Sequence, residues 1–349
     1  MLFERRGPGG NYERLLVVQR PRLGLRAIVA IDSTHRGPAF GGIRRLRYAS
    51  EAEALADALA LAEAMSQKCA LAGLAAGGAK TVVMQPVDDA SIDWLAAYAA
   101  LGEELEALGG RYVCGPDLGT GATQLAAIRQ TCRHVNPEGN DAGASTAAGV
   151  DAGLRAVWQV LGAPAQGRRR VVIQGLGSVG GSLAATLVER GVEVVGADLD
   201  PTACQAAAER GVVIVPPSQV LRERCDVLMP CATGHGLDAE TIAGLQCRAV
   251  CGSANNQLAT AADAGRLHAR GIVHAPDVVV SAGAVIEGVL TVQHGVDDAV
   301  RRQVADAIAT IEGTLTAVLE QAARTDQPPT KVAVTMAQQR LARPSSRSA

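Results

Sequence analysis

The stretch Arg170-Val171-Val172-Ile173-Gln174-Gly175-Leu176-Gly177-Ser178-Val179-Gly180 decides the fold of this chain. Its β-branched first half reads as a strand, and its glycine-rich second half opens a helical pattern that runs to about Arg190. A further apolar strand, 192–197, ends at Asp198. Strand, glycine turn, helix, strand and terminal acid within about 30 residues make one βαβ unit of a dinucleotide-binding sheet. Gly175 permits the tight turn, and Gly180 allows the helix to pack closely. Gly177 lets the turn backbone, Leu176, Ser178 and Val179 included, approach a pyrophosphate at the helix N-terminus. Asp198 is placed to accept hydrogen bonds from an adenosine ribose and would repel a 2′-phosphate, so the expected cofactor is NAD rather than NADP. Asp200, beyond the strand end, is the competing acid.

Outward from this unit, strand candidates at 212–215, 226–229, 249–251 and 278–280 alternate with helices, as a parallel sheet requires. A helix at 146–161 precedes it. Val296, Val300, Val304, Ile308, Ile311, Leu315 and Leu319 form one stripe of a long helix, Pro328-Pro329 breaks the chain, and a final helix leads to a frayed tail, 343–349. Toward the N-terminus, the strand 26–32 leads into a glycine-rich loop, 37–42. Ser50 and Glu53 form a capping box for a helix with apolar positions Ala52, Leu55, Leu59, Ala62 and Met65. Lys68 stands in its last turn, on the face of Leu61 and Met65. Lys80 opens the strand 81–84, a helix covers 91–108, and Tyr112-Val113-Cys114 leads to the turn Gly115-Pro116-Asp117-Leu118-Gly119-Thr120. The expected fold is α/β with two domains separated by a cleft. An N-terminal mixed α/β domain spans 1–144, joined by the C-terminal helix at about 330–349, and a Rossmann domain spans 145–329.

A length of 349 residues suits two domains, and 33 basic against 35 acidic side chains give a net charge of −2, which argues against nucleic-acid or membrane-surface partners. No apolar run reaches the ~18 residues needed to cross a bilayer. The opening MLFERRGPGGNYERLL lacks an apolar signal core, so the expected compartment is the cytoplasm. Eight cysteines without a C-x-x-C pair and six scattered histidines predict neither disulfides nor a metal site. Only Lys68, Lys80 and Lys331 among the 33 basic residues are lysine. Where arginine otherwise supplies positive charge, a retained lysine points to a place that needs a compact ammonium or one able to lose its proton.

Lys68 and Lys80 flank CALAGLAAGGA, an uncharged segment of small residues. Two ammonium groups brought together there would disfavour each other's charge, and burial acts in the same direction. One lysine then serves as an acid/base group while the other stays cationic and binds an anion. Asp117 supplies a carboxylate suited to an amine or to proton relay. Two lysines and an aspartate beside NAD fit an α-amino acid.

These residues resemble the leucine/phenylalanine/valine branch of the amino acid dehydrogenases. The resemblance rests on Gly37-Pro38-Ala39-Phe40-Gly41-Gly42, the Ser50–Lys68 helix, Ala72-Gly73-Leu74 to Gly77-Gly78-Ala79-Lys80, and Asp117-Leu118-Gly119-Thr120. In the second half, Thr146-Ala147-Ala148-Gly149-Val150, Gln174-Gly175-Leu176-Gly177, Pro230-Cys231-Ala232, Gly252-Ser253-Ala254-Asn255-Asn256-Gln257-Leu258 and Ala275-Pro276-Asp277 match in order. It implies reversible oxidative deamination of an L-amino acid with an aliphatic or aromatic side chain to the 2-oxo acid and ammonia, with NAD taking the Cα hydride. By that analogy Lys68 binds the substrate carboxylate, helped by the backbone at Gly41-Gly42. Lys80 activates the attacking water, and Asp117 handles protons at nitrogen. Thr146, Ala232, Asn255 and Asn256 correspond to positions that touch the nicotinamide half of the cofactor. The first domain carries substrate binding and oligomerisation, and the family's habit implies a homo-oligomer, a dimer or an octamer.

The chain departs from the family pattern near the substrate. Ser281-Ala282-Gly283 replaces Asn-Ala-Gly, Gly77-Gly78-Ala79 replaces a triple glycine, and Ser66-Gln67-Lys68 replaces Thr-Tyr-Lys. Phe40 occupies a side-chain pocket position that is often leucine. The alternative readings are a family member with an altered or lost substrate site, including a non-catalytic NAD-binding protein, and a reductase of a non-amino-acid carbonyl. Arg44 and Arg45 are the arginines that could hold a second substrate carboxylate.

Overall fold

In a computed structural model, residues 12–164, 167–232 and 234–342 are described. Residues 1–11 of the opening stretch and the tail 343–349 lie outside them. The chain divides into two compact units, Met1–Asn140 with Val285–Arg301 and Ala337–Ala349, and Asp141–Ala284 with Arg302–Met336. The boundary therefore falls a few residues before 144, and the segment 285–301, expected in the Rossmann domain, belongs with the first unit. The packing gives the reason. Asn140 Nδ2 donates to Thr291 Oγ1 at 2.9 Å, and a methyl group at Gly288 would press on the Asn136 amide. Arg340 Nη1 donates to the carbonyls of Ala70 and Leu71, which fastens the chain's last described turns to the same unit.

Among the described residues, the first unit holds a five-stranded sheet in the order β1-β2-β4-β3-β5, from β1 (Arg14–Arg20), β2 (Leu25–Ser33), β3 (Ala39–Leu46), β4 (Gly77–Met84) and β5 (Tyr112–Gly115). The β1, β2 and β4 contacts are antiparallel, whereas β3 runs parallel to both β4 and β5. Alternate residues face opposite sides. Ala27, Val29, Ile31, Ile43, Ala79 and Val83 pack under α2 (Trp94–Glu106) and α3 (Ala122–Arg129). Ile28, Ala30 and Val82 face Ala54, Ala58 and Ala62 of α1 (Glu51–Leu71). These alanines recur every four residues, so α1 lies with its backbone close to the sheet. Ser50 caps the helix by accepting from the Glu53 N–H at 3.2 Å, and the Glu53 carboxylate returns to the Ala49 N–H at 2.7 Å. Such a cap contributes about 1 kcal/mol.

The structure departs from two local expectations in this sheet. The segment 37–42 is no free loop, because Ala39 to Gly42 are strand residues wedged between β4 and β5. A Cβ at Gly41 would overlap the Ala79 carbonyl oxygen, so close backbone approach accounts for that glycine. For the same reason β4 begins at Gly77, and Lys80 stands inside the strand.

The second unit carries a six-stranded sheet in the order β11-β10-β9-β6-β7-β8, parallel throughout, from β6 (Arg170–Gln174), β7 (Glu193–Ala197), β8 (Val213–Ile214), β9 (Val227–Pro230), β10 (Ala249–Val250) and β11 (Val273–His274). The order reverses at β6, which makes its C-terminal end the switch point of a Rossmann sheet. Between the strands run α5 (Ser178–Glu189), α6 (Pro201–Ala208), α7 (Ala239–Gly244) and α8 (Ala262–Ala269), and α4 (Ala142–Leu161) precedes them. The run Val278-Val279-Val280, expected as a strand, is the short helix α9 (Asp277–Val280), and the last strand is the preceding Val273–His274. Pro276 at the N-cap and Asp277 in the first turn favour a helix start. Val280 packs on Gly153 of α4, where a Cβ would overlap it. The remaining helices are α10 (Gly283–His294), α11 (Asp298–Thr325) and α12 (Pro329–Leu341). Val296, placed on the long-helix stripe, lies outside α11 and is exposed. No described helix is long and apolar enough to cross a membrane.

Candidate active site

The charged centre of the first unit is assembled on the α1 side of the sheet. Arg44 lies opposite Val82 in the β3–β4 register, so Arg44, Val82 and Lys80 share that face. On α1, Asp57 and Lys68 are eleven residues apart, three turns, and therefore project from one side of the helix. Gly78 lets the helix settle on the strand, since a Cβ there would overlap the Ser66 backbone nitrogen. Cys69 Sγ donates to the Gly77 carbonyl at 3.3 Å and ties the end of α1 to the start of β4; burial pushes this thiol up to about 12.

Lys80 Nζ donates to Asp117 Oδ2 at 2.6 Å, and Arg44 Nε donates to the same oxygen at 2.9 Å. Arg44 Nη1 also reaches Asp57 Oδ2 at 3.4 Å, where Tyr48 Oη donates at 2.6 Å. The four charged side chains are at most 19% exposed and sum to zero charge. Burial alone would raise the Asp117 pKa, but the Lys80 and Arg44 charges outweigh it and hold the carboxyl well below its ordinary range. The turn bearing it is closed by Thr120 N–H to Asp117 O at 2.9 Å, and Thr120 Oγ1 lies 2.5 Å from Tyr98 Oη. A Cβ at Gly42 would sit 2.9 Å from Asp117 Cβ, so Gly42 lets β3 pass directly beside the carboxylate.

Lys80, Asp117, Gly41 and Gly42 are thus brought together, with buried Lys68 on the helix above them. Phe40, 3% exposed, lies opposite Gly78 and Val113 in the same strand. Arg44 binds Asp117 and Asp57, and Arg45 projects to the opposite face, 4.3 Å from the Trp94 ring centroid. Neither is the loose guanidinium that a second substrate carboxylate would need. Sequence reading missed the part of Asp57 and Tyr48; the spacing between Asp57 and Lys68 was the available signal. Ser281 belongs to the second unit, where its buried hydroxyl donates to the Asp277 carbonyl at 2.6 Å.

In the second unit, the turn after β6 has the form that a pyrophosphate needs. Gly175 has φ +93° and its N–H donates to the Ala197 carbonyl at 2.8 Å. A Cβ at Gly180 would overlap the Gly175 carbonyl oxygen, whereas nothing stands within 4 Å of one at Gly177. Gly177 is the N-cap of the twelve-residue α5, so the N–H groups of Ser178 and Val179 are free of earlier helical partners and can donate outward. Asp198, at the end of β7, accepts from the Leu176 N–H at 2.6 Å and from the Asp200 N–H at 2.9 Å. Burial works against its charge, but the backbone donors prevail and lower its pKa. Asp200 caps α6 through the Thr202 N–H at 2.9 Å, which engages the competing acid elsewhere. Ala232 faces the turn, its nitrogen 2.9 Å from a Cβ at Gly175. Asn256 has φ +50° and donates its N–H to Asp277 Oδ2 at 2.8 Å, Asn255 backs onto Gly234, and Thr146 lies in α4 beside Gly283.

Two family models match the chain: "Glu/Leu/Phe/Val dehydrogenase, dimerisation domain" over residues 14–134 and "Glutamate/Leucine/Phenylalanine/Valine dehydrogenase" over 200–348. The chain belongs to this family. It is 40% identical to a valine dehydrogenase of Streptomyces albus over 95% of its length and 93% of the relative's. With a leucine dehydrogenase of Thermoactinomyces intermedius it shares 38% identity over 79% of this chain and 77% of the relative. The solved L-tryptophan dehydrogenase of Nostoc punctiforme superposes with a TM-score of 0.78 at 30% identity, covering 96% of each chain. The activity that goes with membership is the NAD-dependent oxidative deamination of an amino acid.

Proposed function

We propose that the substrate is an L-amino acid with an aliphatic or aromatic side chain, and that Lys68, Lys80 and Asp117 carry the chemistry. The observation that bears most weight is the buried Lys80–Asp117 contact at 2.6 Å, which gives a lysine on a rigid strand a proton partner. Relatives that act on valine, leucine and tryptophan, and the engagement of Arg44 and Arg45, support an apolar side chain over an acidic one.

NAD, when bound, supplies the acceptor for the hydride leaving the substrate Cα. The Gly175–Gly180 turn and the start of α5 would hold its pyrophosphate and Asp198 its ribose, with Thr146, Ala232, Asn255 and Asn256 at its nicotinamide half. Lys68 holds the substrate carboxylate beside the Gly41-Gly42 backbone. Lys80, as the amine, takes a proton from the water that adds to the iminium carbon. Asp117 receives and returns the protons at nitrogen as ammonia departs and the 2-oxo acid forms. Phe40 and Ser281 belong to the substrate's surroundings. We place the enzyme in the cytoplasm as a homo-oligomer, a dimer or an octamer; eight free thiols fit a reducing compartment, and the matched dimerisation domain fits self-association.

The test is NADH formation at alkaline pH with a panel of twenty L-amino acids, using Lys80→Ala as the control. The expected result is turnover of aliphatic or aromatic members that falls by about 10²–10⁴-fold in the variant. No turnover on the whole panel by a protein that binds NADH would overturn the substrate class.

A further inference from the structure

Arg44 is the only partner of Asp117 besides Lys80 for which the structure shows a side-chain ion pair among the described residues. It is held at both ends. Its Nε meets Asp117 Oδ2 at 2.9 Å, its Nη1 meets Asp57 Oδ2 at 3.4 Å, and Asp57 is fixed in turn by Tyr48 Oη at 2.6 Å. The result is an alternating row, Lys80, Asp117, Arg44, Asp57, in which each inner charge is shared by two neighbours. A lysine paired one-to-one with a buried carboxylate is held as an ammonium, which makes a poor base. Sharing Asp117 Oδ2 with a guanidinium that never gives up its proton weakens that hold.

We propose that Arg44 is a positioning residue of the reaction: shared with Asp57, it fixes the Asp117 carboxylate and divides its charge, so that the Lys80–Asp117 pair releases its proton in the working pH range. The inference rests on the reading of Lys80 and Asp117 given above. Arg44 touches neither substrate nor cofactor in this scheme and acts through Asp117 alone. The charged and titratable groups about the pair and its strand are Arg44 from β3, Asp32 from β2, Asp57 and Lys68 from α1, Tyr48 ahead of α1, and Tyr112 from β5. Tyr112 donates to the Gly41 carbonyl at 3.0 Å, and burial pushes its phenol well up, so it stays neutral.

The signs of the expected effects differ along the row. Loss of the Arg44 cation makes the pair keep its proton to higher pH; loss of the Asp57 anion frees Arg44 to draw more of the Asp117 charge, and the proton leaves at lower pH. Because the groups interact, the shift belongs to the macroscopic acid limb of the pH profile rather than to one residue. The experiment measures kcat/KM against pH, with L-valine as probe, or the best amino acid of the panel if L-valine is inert, for the wild type, Arg44→Gln, Arg44→Lys, Asp57→Asn and Lys80→Ala. Expected is an acid limb displaced upward by about one pH unit in Arg44→Gln and downward in Asp57→Asn. Arg44→Lys keeps the limb near its wild-type position at a lower rate, since the charge remains and the planar fork is lost. Equal loss at every pH in Arg44→Gln, with the limb unmoved, would overturn the proposal. Should Arg44→Gln fail to fold, Asp57→Asn decides alone: a limb that moves up or stays would sink the idea. Retained activity in Lys80→Ala would instead refute the underlying reading of the base, an outcome the other variants cannot produce.

Discussion

In the second unit, the groups that would meet the dinucleotide phosphates come from one contiguous turn, Gly175 to Gly180, and most of them are backbone. In the first unit the charged centre draws on separate stretches, with Arg44 from β3, Asp57 from α1, Lys80 from β4 and Asp117 from the turn after β5. The contrast follows from the roles we propose for the two sites. A pyrophosphate is the same in every dinucleotide and can be met by fixed N–H dipoles, which need only glycine and a helix start. Proton transfer needs a group that changes charge during the reaction, and a buried charge must be balanced from several sides at once. One site therefore depends mostly on its backbone, and the other adds to a close-packed backbone a set of charged side chains that must balance one another.

The sharpest break of that contrast is Asp117→Asn. It leaves Lys80 and Arg44 facing each other without the anion between them, and losing one partner of a buried charge cluster costs about 3–5 kcal/mol. We expect a clear fall in melting temperature together with loss of turnover, while NADH binding persists. The pH dependence has a definite sign. The folded pKa of Asp117 is depressed, so its contribution is complete above the unfolded value of about 3.9 and fades as the pH falls toward the folded one. The stability gap between wild type and variant should be constant from about pH 5 to 8 and close in acid. A gap that stays open in acid would contradict the ion-pair assignment.

Contiguity also explains what could be read beforehand. Strand, turn, helix and acid lie within one βαβ unit, so local pattern and tertiary role coincide, and the Gly175 turn with Asp198 was legible residue by residue. The row Lys80, Asp117, Arg44, Asp57 exists only after β3 slides between β4 and β5 and α1 lies on them, so sequence reading found its lysine and Asp117 but gave Arg44 another task. The same physics accounts for the misread segments. Glycines at 41 and 42 serve sheet packing and not a loop, and Val278-Val279-Val280 obeys Pro276 and its bed on α4 rather than β propensity.

A pair of glycine variants sharpens the comparison within the turn itself. Gly180→Ala forces a methyl group onto the Gly175 carbonyl oxygen, so α5 must shift, with an expected loss of about 1–3 kcal/mol in stability and at least about tenfold in NADH affinity. Gly177→Ala meets nothing within 4 Å, and its φ of −66° suits alanine. Thermal stability should fall only by the cost of a poorer N-cap, under about 1 kcal/mol, whereas NADH affinity, followed by fluorescence titration, should fall clearly. Unchanged affinity in Gly177→Ala would mean that the pyrophosphate does not approach this backbone.

The smallest effect is the most informative about substrate choice. Phe40 is buried in the strand that carries Gly41 and Gly42, opposite Gly78 and Val113, so it belongs to the core whatever else it does. Phe40→Leu should cost about 1–2 kcal/mol by the volume it removes. If the ring also walls the side-chain pocket, the space gained favours longer substrates, and a methylene-sized change in an apolar pocket alters kcat/KM ratios by about tenfold or more. The measurement is the ratio of kcat/KM for phenylalanine, leucine and valine in wild type and variant. A changed order with a modest drop in melting temperature assigns Phe40 to the pocket. An equal decline for all three assigns it to the core alone.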